Sequence, residues 1–198
     1  MDAISYSGML DANEASFGVR ALPTYHFDKA DVIVSFGADF LGNWGSTDYA
    51  TDYATGRNPK NKKMSKHYQI ESTLTLTGSN ADERIPIKPS EQAGLLSNLY
   101  NALNGKTSDN RITKIISSLK AAKSSIVVCN SNDKYVQLLV NSINNILGNY
   151  GNTIDMLNPS YLRKGNDEDV ANLVSDMNGD GNIDVLDVVQ MVNVIINP

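Results

Sequence analysis

The chain is predicted to be α/β, a partial Rossmann-like fold with a mainly parallel sheet and flanking helices, ending in a calcium-type loop and helix. Three observations carry this. Two apolar runs, "VIVSF" at 32–36 and "SSIVVCN" at 124–130, have the pattern of strands covered on both faces. Segments with helical apolar spacing are interspersed with them, and strands alternating with helices argue for a parallel sheet. Finally, acidic and amide side chains alternate around a glycine in "DMNGDGNIDVLD" (176–187).

In chain order, residues 11–20 can form a short helix, and the first buried strand follows with Val32, Ile33, Val34 and Phe36. "FGADFLGNWG" releases the chain at the carboxyl end of that strand, the edge where open α/β sheets bind ligands. "STDYATDYATGR" reads as a helix with Ser46 or Thr47 as N-cap. "YQIESTLTLTGSNADERIPI" is rich in β-branched residues and alternates near 72–76, so at least one strand is expected there. Ser90 is expected to cap a helix running to about Leu103, with Leu95, Leu96, Leu99, Tyr100 and Leu103 on one side.

Ile112, Ile115, Ile116 and Leu119 mark the next helix, and the second buried strand, "SSIVVCN" at 124–130, follows. Val136, Leu139, Val140, Ile143, Ile146 and Leu147 define a longer amphipathic helix over 133–147. "GNDEDVANLVS" (165–175) supplies the last helix before the composition changes, which divides the chain into 1–175 and 176–198.

Composition limits the function classes. With 198 residues, 41% of them hydrophobic, a core of normal size is possible. A net charge of −5 argues against a generic nucleic-acid surface, and the run "GRNPKNKKMSKH" (56–67) is read as a solvated loop, with an anionic partner as the alternative. The single cysteine, Cys129, excludes an internal disulfide and a cysteine-ligated iron–sulfur cluster held by this chain alone. It falls in an apolar run and is expected to pack as a small hydrophobe. No apolar run is long enough to span a bilayer. No signal-peptide pattern is visible, and the start reads like the interior of a longer sequence.

The acidic loop carries the most specific motif. With Asp176 at position 1, Asn178, Asp180 and Asn182 fall at 3, 5 and 7, Asp184 at 9 and Asp187 at 12, with Gly181 at 6. Calcium takes six to eight hard oxygens, and the glycine permits the sharp turn that wraps the loop around the ion. Asn182 would offer its carbonyl and Asp184 would act through water, while Ile183 would point inward. Aspartate rather than glutamate closes the loop, a shorter arm for bidentate ligation. Val185, Val188, Val189, Val192, Ile195 and Ile196 then share a helical face. The competing expectation is a polar turn before a final strand, since "VVQMVNVII" is β-branched.

Elsewhere the residues suggest little chemistry. "FGADFLGNWG" lacks the G-x-G-x-x-G spacing of a phosphate-binding turn. His26 has no metal-ligand neighbour at i+4 and the two histidines, His26 and His67, lie far apart in sequence, so hydrogen-bonding roles are expected for both, and Trp44 is expected to pack as a lid.

Residues 176–197 resemble a type I dockerin repeat, in which aspartate at position 12 is normal; dockerins carry two repeats, and one is present here. Residues 1–175 resemble another family. "SYSGMLDANEASFGVRALPTYHFDKADVIVSFGADFLGNW", "KMSKHYQIESTLTLTGSNADERIPIKPSE", "LYNAL" and "NYGNTIDMLNPSYLRKGND" are similar to the molybdopterin-oxidoreductase-like domain of the iron–sulfur subunit of alternative complex III.

That resemblance implies a domain that has lost its pterin and serves as a scaffold in a membrane respiratory complex, a quinol:electron-acceptor oxidoreductase. Neither molybdopterin nor an iron–sulfur cluster is expected in this chain, and its other subunits would be the partners, on the periplasmic or extracytoplasmic side. The chain would then be a fragment, not catalytic by itself. The dockerin resemblance implies instead a calcium-dependent assembly or adhesion module with a cohesin-like partner. A third reading, an enzyme binding a pterin or nucleotide around Gly37, Gly42 and Gly45, has no catalytic constellation beside those glycines.

Overall fold

The computed structural model describes residues 4–61, 64–107, 109–176, 179–182 and 184–196; the side chains of 61, 173, 174, 191 and 193–196 fall outside that description. The fold is mixed α/β, built on four parallel strands flanked by helices. In chain order the elements begin with α1 (Ser7–Phe17), β1 (Leu22–Tyr25), β2 (Val32–Phe36), α2 (Asp48–Gly56) and β3 (Lys66–Glu71). Next come α3 (Leu76–Ser79), β4 (Glu83–Pro86), α4 (Gln92–Leu103), α5 (Thr113–Ala121) and β5 (Ser125–Cys129). The chain continues through α6 (Lys134–Ile146), β6 (Ile154–Ser160), α7 (Asp167–Ser175) and α8 (Val185–Ile196).

The parallel sheet has the order β4-β3-β2-β5, so the strand order reverses between β2 and β5. Both predicted buried runs are central: every residue of β2 and β5 is buried, and Val32 to Phe36 align with Ser125 to Cys129. Alternate residues feed two cores. Val32, Val34 and Phe36 pack with Leu95, Leu99, Ile115 and Ile143 on one face, while Ile33 joins Phe27, Phe40 and Trp44 on the other. Trp44 packs against Tyr25 and Tyr49, as a lid would. Cys129 is fully buried, and burial pushes its thiol up to about 12, so it behaves as a hydrophobe.

β3 is the exception to an apolar sheet. Tyr68 and Ile70 enter the second core, but His67, Gln69 and Glu71 line up buried on the opposite side. They satisfy one another: His67 Nε2 and Gln69 Oε1 lie 3.4 Å apart, and Gln69 Nε2 donates to Glu71 Oε2 at 3.1 Å. Tyr53 Oη contacts His67 Nδ1 at 3.0 Å.

Burial lowers the pKa of His67 from 6.5 to about 4. A depressed histidine pKa means that the unfolded chain binds the extra proton first as pH falls. His67 therefore supports the fold fully above pH 6.5, and its contribution fades as pH falls towards about 4. The loss should amount to about 3 kcal/mol. Urea midpoints for the parent chain and His67→Gln, measured from neutral pH downward, check this; equal slopes would remove His67 as the cause.

Several boundaries depart from the sequence expectations. The alternation near 72–76 is not a strand: residues 72–75 bend away, and Thr75 caps α3 by accepting from the Gly78 amide. Glu71 enforces this by accepting from the Thr75 amide and hydroxyl. Ser90 does not cap α4. It lies in a 3-10 turn, Pro89–Glu91, where Lys88 N donates to Glu91 Oε2. α1 begins at Ser7, earlier than the expected residue 11, and ends at Gly18, whose φ is 73°. Thr47 sits at the N-cap position of α2, but the Ser46 hydroxyl accepts the Asp48 amide.

The antiparallel pair β1–β6 is absent from the sequence expectations. Each of its strands holds a proline, Pro23 and Pro159, which weakens any strand signal while being tolerated at a sheet edge.

Candidate functional site

The chain leaves α7 at Asp176, whose amide still donates to Asn172 O. The Asp176 carboxylate then turns into the loop and accepts from Gly179 N and Gly181 N, each at 2.9 Å. Both glycines have positive φ, 74° and 84°, a conformation a side chain would strain, and this curls the backbone over the first carboxylate. Asp180 Oδ1 accepts from Asn182 N at 2.8 Å. Asn178 and Ile183, at positions 3 and 8, lie outside the described residues.

The loop closes on a helix start. Asp184 Oδ1 accepts from Leu186 N at 2.7 Å, and Asp187 Oδ2 accepts from Asp184 N at 2.8 Å, a reciprocal capping box for α8. Asp187 is 1% exposed although its neighbours Leu186 and Val188 are open to solvent. The tail after position 12 is helical, so the strand alternative for "VVQMVNVII" does not hold. Short-range carboxylate capping outweighs β-branched propensity here.

Charge is distributed unevenly. From residue 165 to the end there is no lysine or arginine, while Asp167, Glu168, Asp169, Asp176, Asp180, Asp184 and Asp187 are acidic. Loop amides offset part of this repulsion at Asp176, Asp180 and Asp184. Among the described residues, the loop's aspartates do not form a trio of ligand atoms within 4.8 Å of one another. The trio that meets this distance is His26, Asp28 and Asp52, which the i+4 spacing test on the sequence misses because Asp28 is at i+2 and Asp52 is on another element.

The carboxyl ends of the parallel strands form a second region of interest, because a reversal of strand order opens a crevice there. Two cavities of about 220 and 200 Å³ meet at Gly37 and Asn130. Both are below the ~300 Å³ at which small-molecule sites usually begin. Protein side chains fill the rest. Gln92 Nε2 donates to Phe36 O at 2.8 Å and Asn130 Oδ1 at 2.9 Å. The Asn130 amide group lies so close to Gly37 that a Cβ there would come within 2.7 Å of it. Asp39 accepts from the Thr77 amide and hydroxyl, tying the "FGADFLGNWG" turn to α3. Gly42 is packed on the Asp39 carboxylate, and Gly45, φ 79°, lies against the Tyr49 ring. These glycines serve tight packing.

Two cations of the basic run are paired: Arg57 with Asp82 at 2.8 Å and Lys66 with Glu83 at 3.1 Å. Among the described residues, no helix is long and apolar enough to cross a membrane.

No protein-family model matches the chain, and no curated protein does. Among solved structures it is similar to a chain of the formyltransferase/hydrolase complex of Methylorubrum extorquens, determined with methylofuran. What they share is the fold. The TM-score is 0.54 at 14% identity, over 74% of this chain and 42% of the other. The chain thus spans less than half the length of the structure it matches.

Proposed function

We propose that this chain is a non-catalytic scaffold module whose acidic C-terminal loop binds calcium. The observation that carries this reading is the loop itself: a curled backbone with two positive-φ glycines, four aspartates within 176–187, and no basic side chain from 165 onward. Hard carboxylate and carbonyl oxygens at flexible spacing suit calcium, and the donors would be Asp176, Asn178, Asp180, Asn182, Asp184 and Asp187. The small size of the strand-end cavities, narrowed by Gln92 and Asn130, supports a scaffold role for the sheet. By resemblance to the alternative complex III domain, the module sits among other subunits of a membrane respiratory complex, on its extracytoplasmic side.

Calcium in excess should raise the melting temperature, because an ion that binds only the folded chain stabilises it by about 2.7 kcal/mol at a hundredfold excess over Kd. Differential scanning calorimetry with calcium and with chelator measures this. Asp180→Asn, which keeps an amide-accepting oxygen at that position, should shrink the shift; an unchanged melting temperature in millimolar calcium defeats the reading.

A second reading has its own observation. Val185, Leu186, Val188, Val189 and Val192 are all exposed on α8. An apolar helix face of this kind suits calcium-dependent assembly with a cohesin-like partner. Calcium-dependent capture by immobilised cohesin modules, abolished by Val188→Asp with Val192→Asp, is the expected result under that reading.

A further inference from the structure

We propose that His26, Asp28 and Asp52 hold a divalent first-row transition-metal ion beside the cavity formed by β1, the start of α2 and the end of β6. The ligand atoms of these three side chains all lie within 4.8 Å of one another. Among the described residues, none of the three side chains is engaged in a hydrogen bond or ion pair. The adjoining cavity, about 810 Å³, is lined by His26, Asp48, Asp52 and Arg163 among others. That volume lies in the ~300–1,000 Å³ range of small-molecule sites. The two strand-end cavities do not reach it.

The donor set is one imidazole nitrogen and two carboxylates. Such a mixed set suits zinc, manganese or ferrous iron, whereas calcium takes oxygen donors. Three protein ligands leave positions for water or a bound molecule, as in catalytic rather than structural zinc sites. His26 and Asp52 also line the cavity, so an ion at this place would border it.

The platform is rigid. His26 N donates to Thr153 O at 2.9 Å, and Lys29 N donates to His26 O at 3.2 Å. Between the two ligands of the 3-10 turn Phe27–Lys29, Phe27 is fully buried and stacks on Phe40 at 4.3 Å. α2 is pressed onto this turn: a Cβ at Gly56 would lie 3.2 Å from Phe27 O. Backbone and core therefore fix the spacing between Asp52 and the turn, as a metal site needs. The site brings two carboxylates, Asp28 and Asp52, close together, and a cation between them would offset their mutual repulsion.

The test uses the full chain with calcium in excess, so that the C-terminal loop is occupied, and zinc alone as the titrant in calorimetry. One equivalent of zinc should bind, with affinity falling more than about tenfold in His26→Ala and in Asp52→Asn. Asp176→Asn should leave zinc binding unchanged. Manganese, added in trace amounts as a paramagnetic probe, should broaden the amide resonances of residues 26–28 and 52. Zinc binding of full strength in His26→Ala, no zinc binding at all, or broadening centred on 176–187 overturns the site. Asp52→Asn preserves side-chain size on α2 and decides the matter if His26→Ala does not fold. Failure of calcium binding would leave these expectations unaffected, because no ligand is shared between the two sites.

Discussion

Replacing Glu71 with alanine should destabilise the fold by about 3–5 kcal/mol, the usual cost of breaking a buried ion pair from one side. Its side chain is 2% exposed, and Arg84 Nε reaches its Oε1 at 2.6 Å. The same carboxylate accepts from the Thr75 hydroxyl, the Thr75 amide and Gln69 Nε2. Burial alone would raise its pKa, but Arg84, Thr75 and Gln69 outweigh that and hold it below the ordinary carboxylate value. Truncation leaves Arg84 without its carboxylate and removes the fastening of the turn that follows β3. Urea unfolding of Glu71→Ala measures the loss. A change below about 1 kcal/mol would mean that the network is only a solvated surface feature.

The depressed Glu71 pKa also has a sign. Its contribution is complete above pH 4.5, the ordinary value, and is lost as pH falls through the folded value. His67 loses its contribution from pH 6.5 downward, so the two groups of β3 make acid unfolding begin with His67 and finish with Glu71.

Phe27→Ala should cost a similar amount, about 3–5 kcal/mol, by leaving a cavity in the aromatic core. Phe27 is fully buried, stacked on Phe40 at 4.3 Å and tilted against Tyr49 at 5.2 Å. At this chain length the melting temperature should fall by roughly 10 °C. Phe27→Leu, which retains most of the volume, should lose less than half as much. Thermal denaturation of the pair separates the two, and equal losses would show that ring stacking rather than volume sets the cost. Because His26 and Asp28 flank Phe27, the alanine variant should also weaken zinc binding, whereas Phe27→Leu should largely preserve it.

Much of the fold was legible from residue order. Continuous apolar runs identified β2 and β5 because a strand covered on both faces has no polar period to conceal it. Helical spacing identified α4, α5 and α6 for the corresponding reason, one buried stripe per helix. The acidic loop and the helix behind it were legible because capping and turn chemistry act over a few residues.

Where the sequence misled, side-chain hydrogen bonds or a distant partner overrode the local pattern. Thr73 to Leu76 alternate like a strand, yet the Glu71 carboxylate and the Thr75 cap turn them into a bend and α3. β1 and β6 carry prolines and form only because each finds the other across more than a hundred residues. Likewise, no local pattern announces His26, Asp28 and Asp52; packing of α2 on the Phe27 turn brings them together.

The amino-acid order alone determined the α/β class, the central strands and the loop of alternating acids, since these depend on interactions over one or two turns of chain. The narrowing of the strand-end crevices, the polar ladder on β3 and the meeting of one histidine with two aspartates were decided by tertiary structure. Such groupings arise from the docking of separate elements, and sequence spacing does not encode that distance.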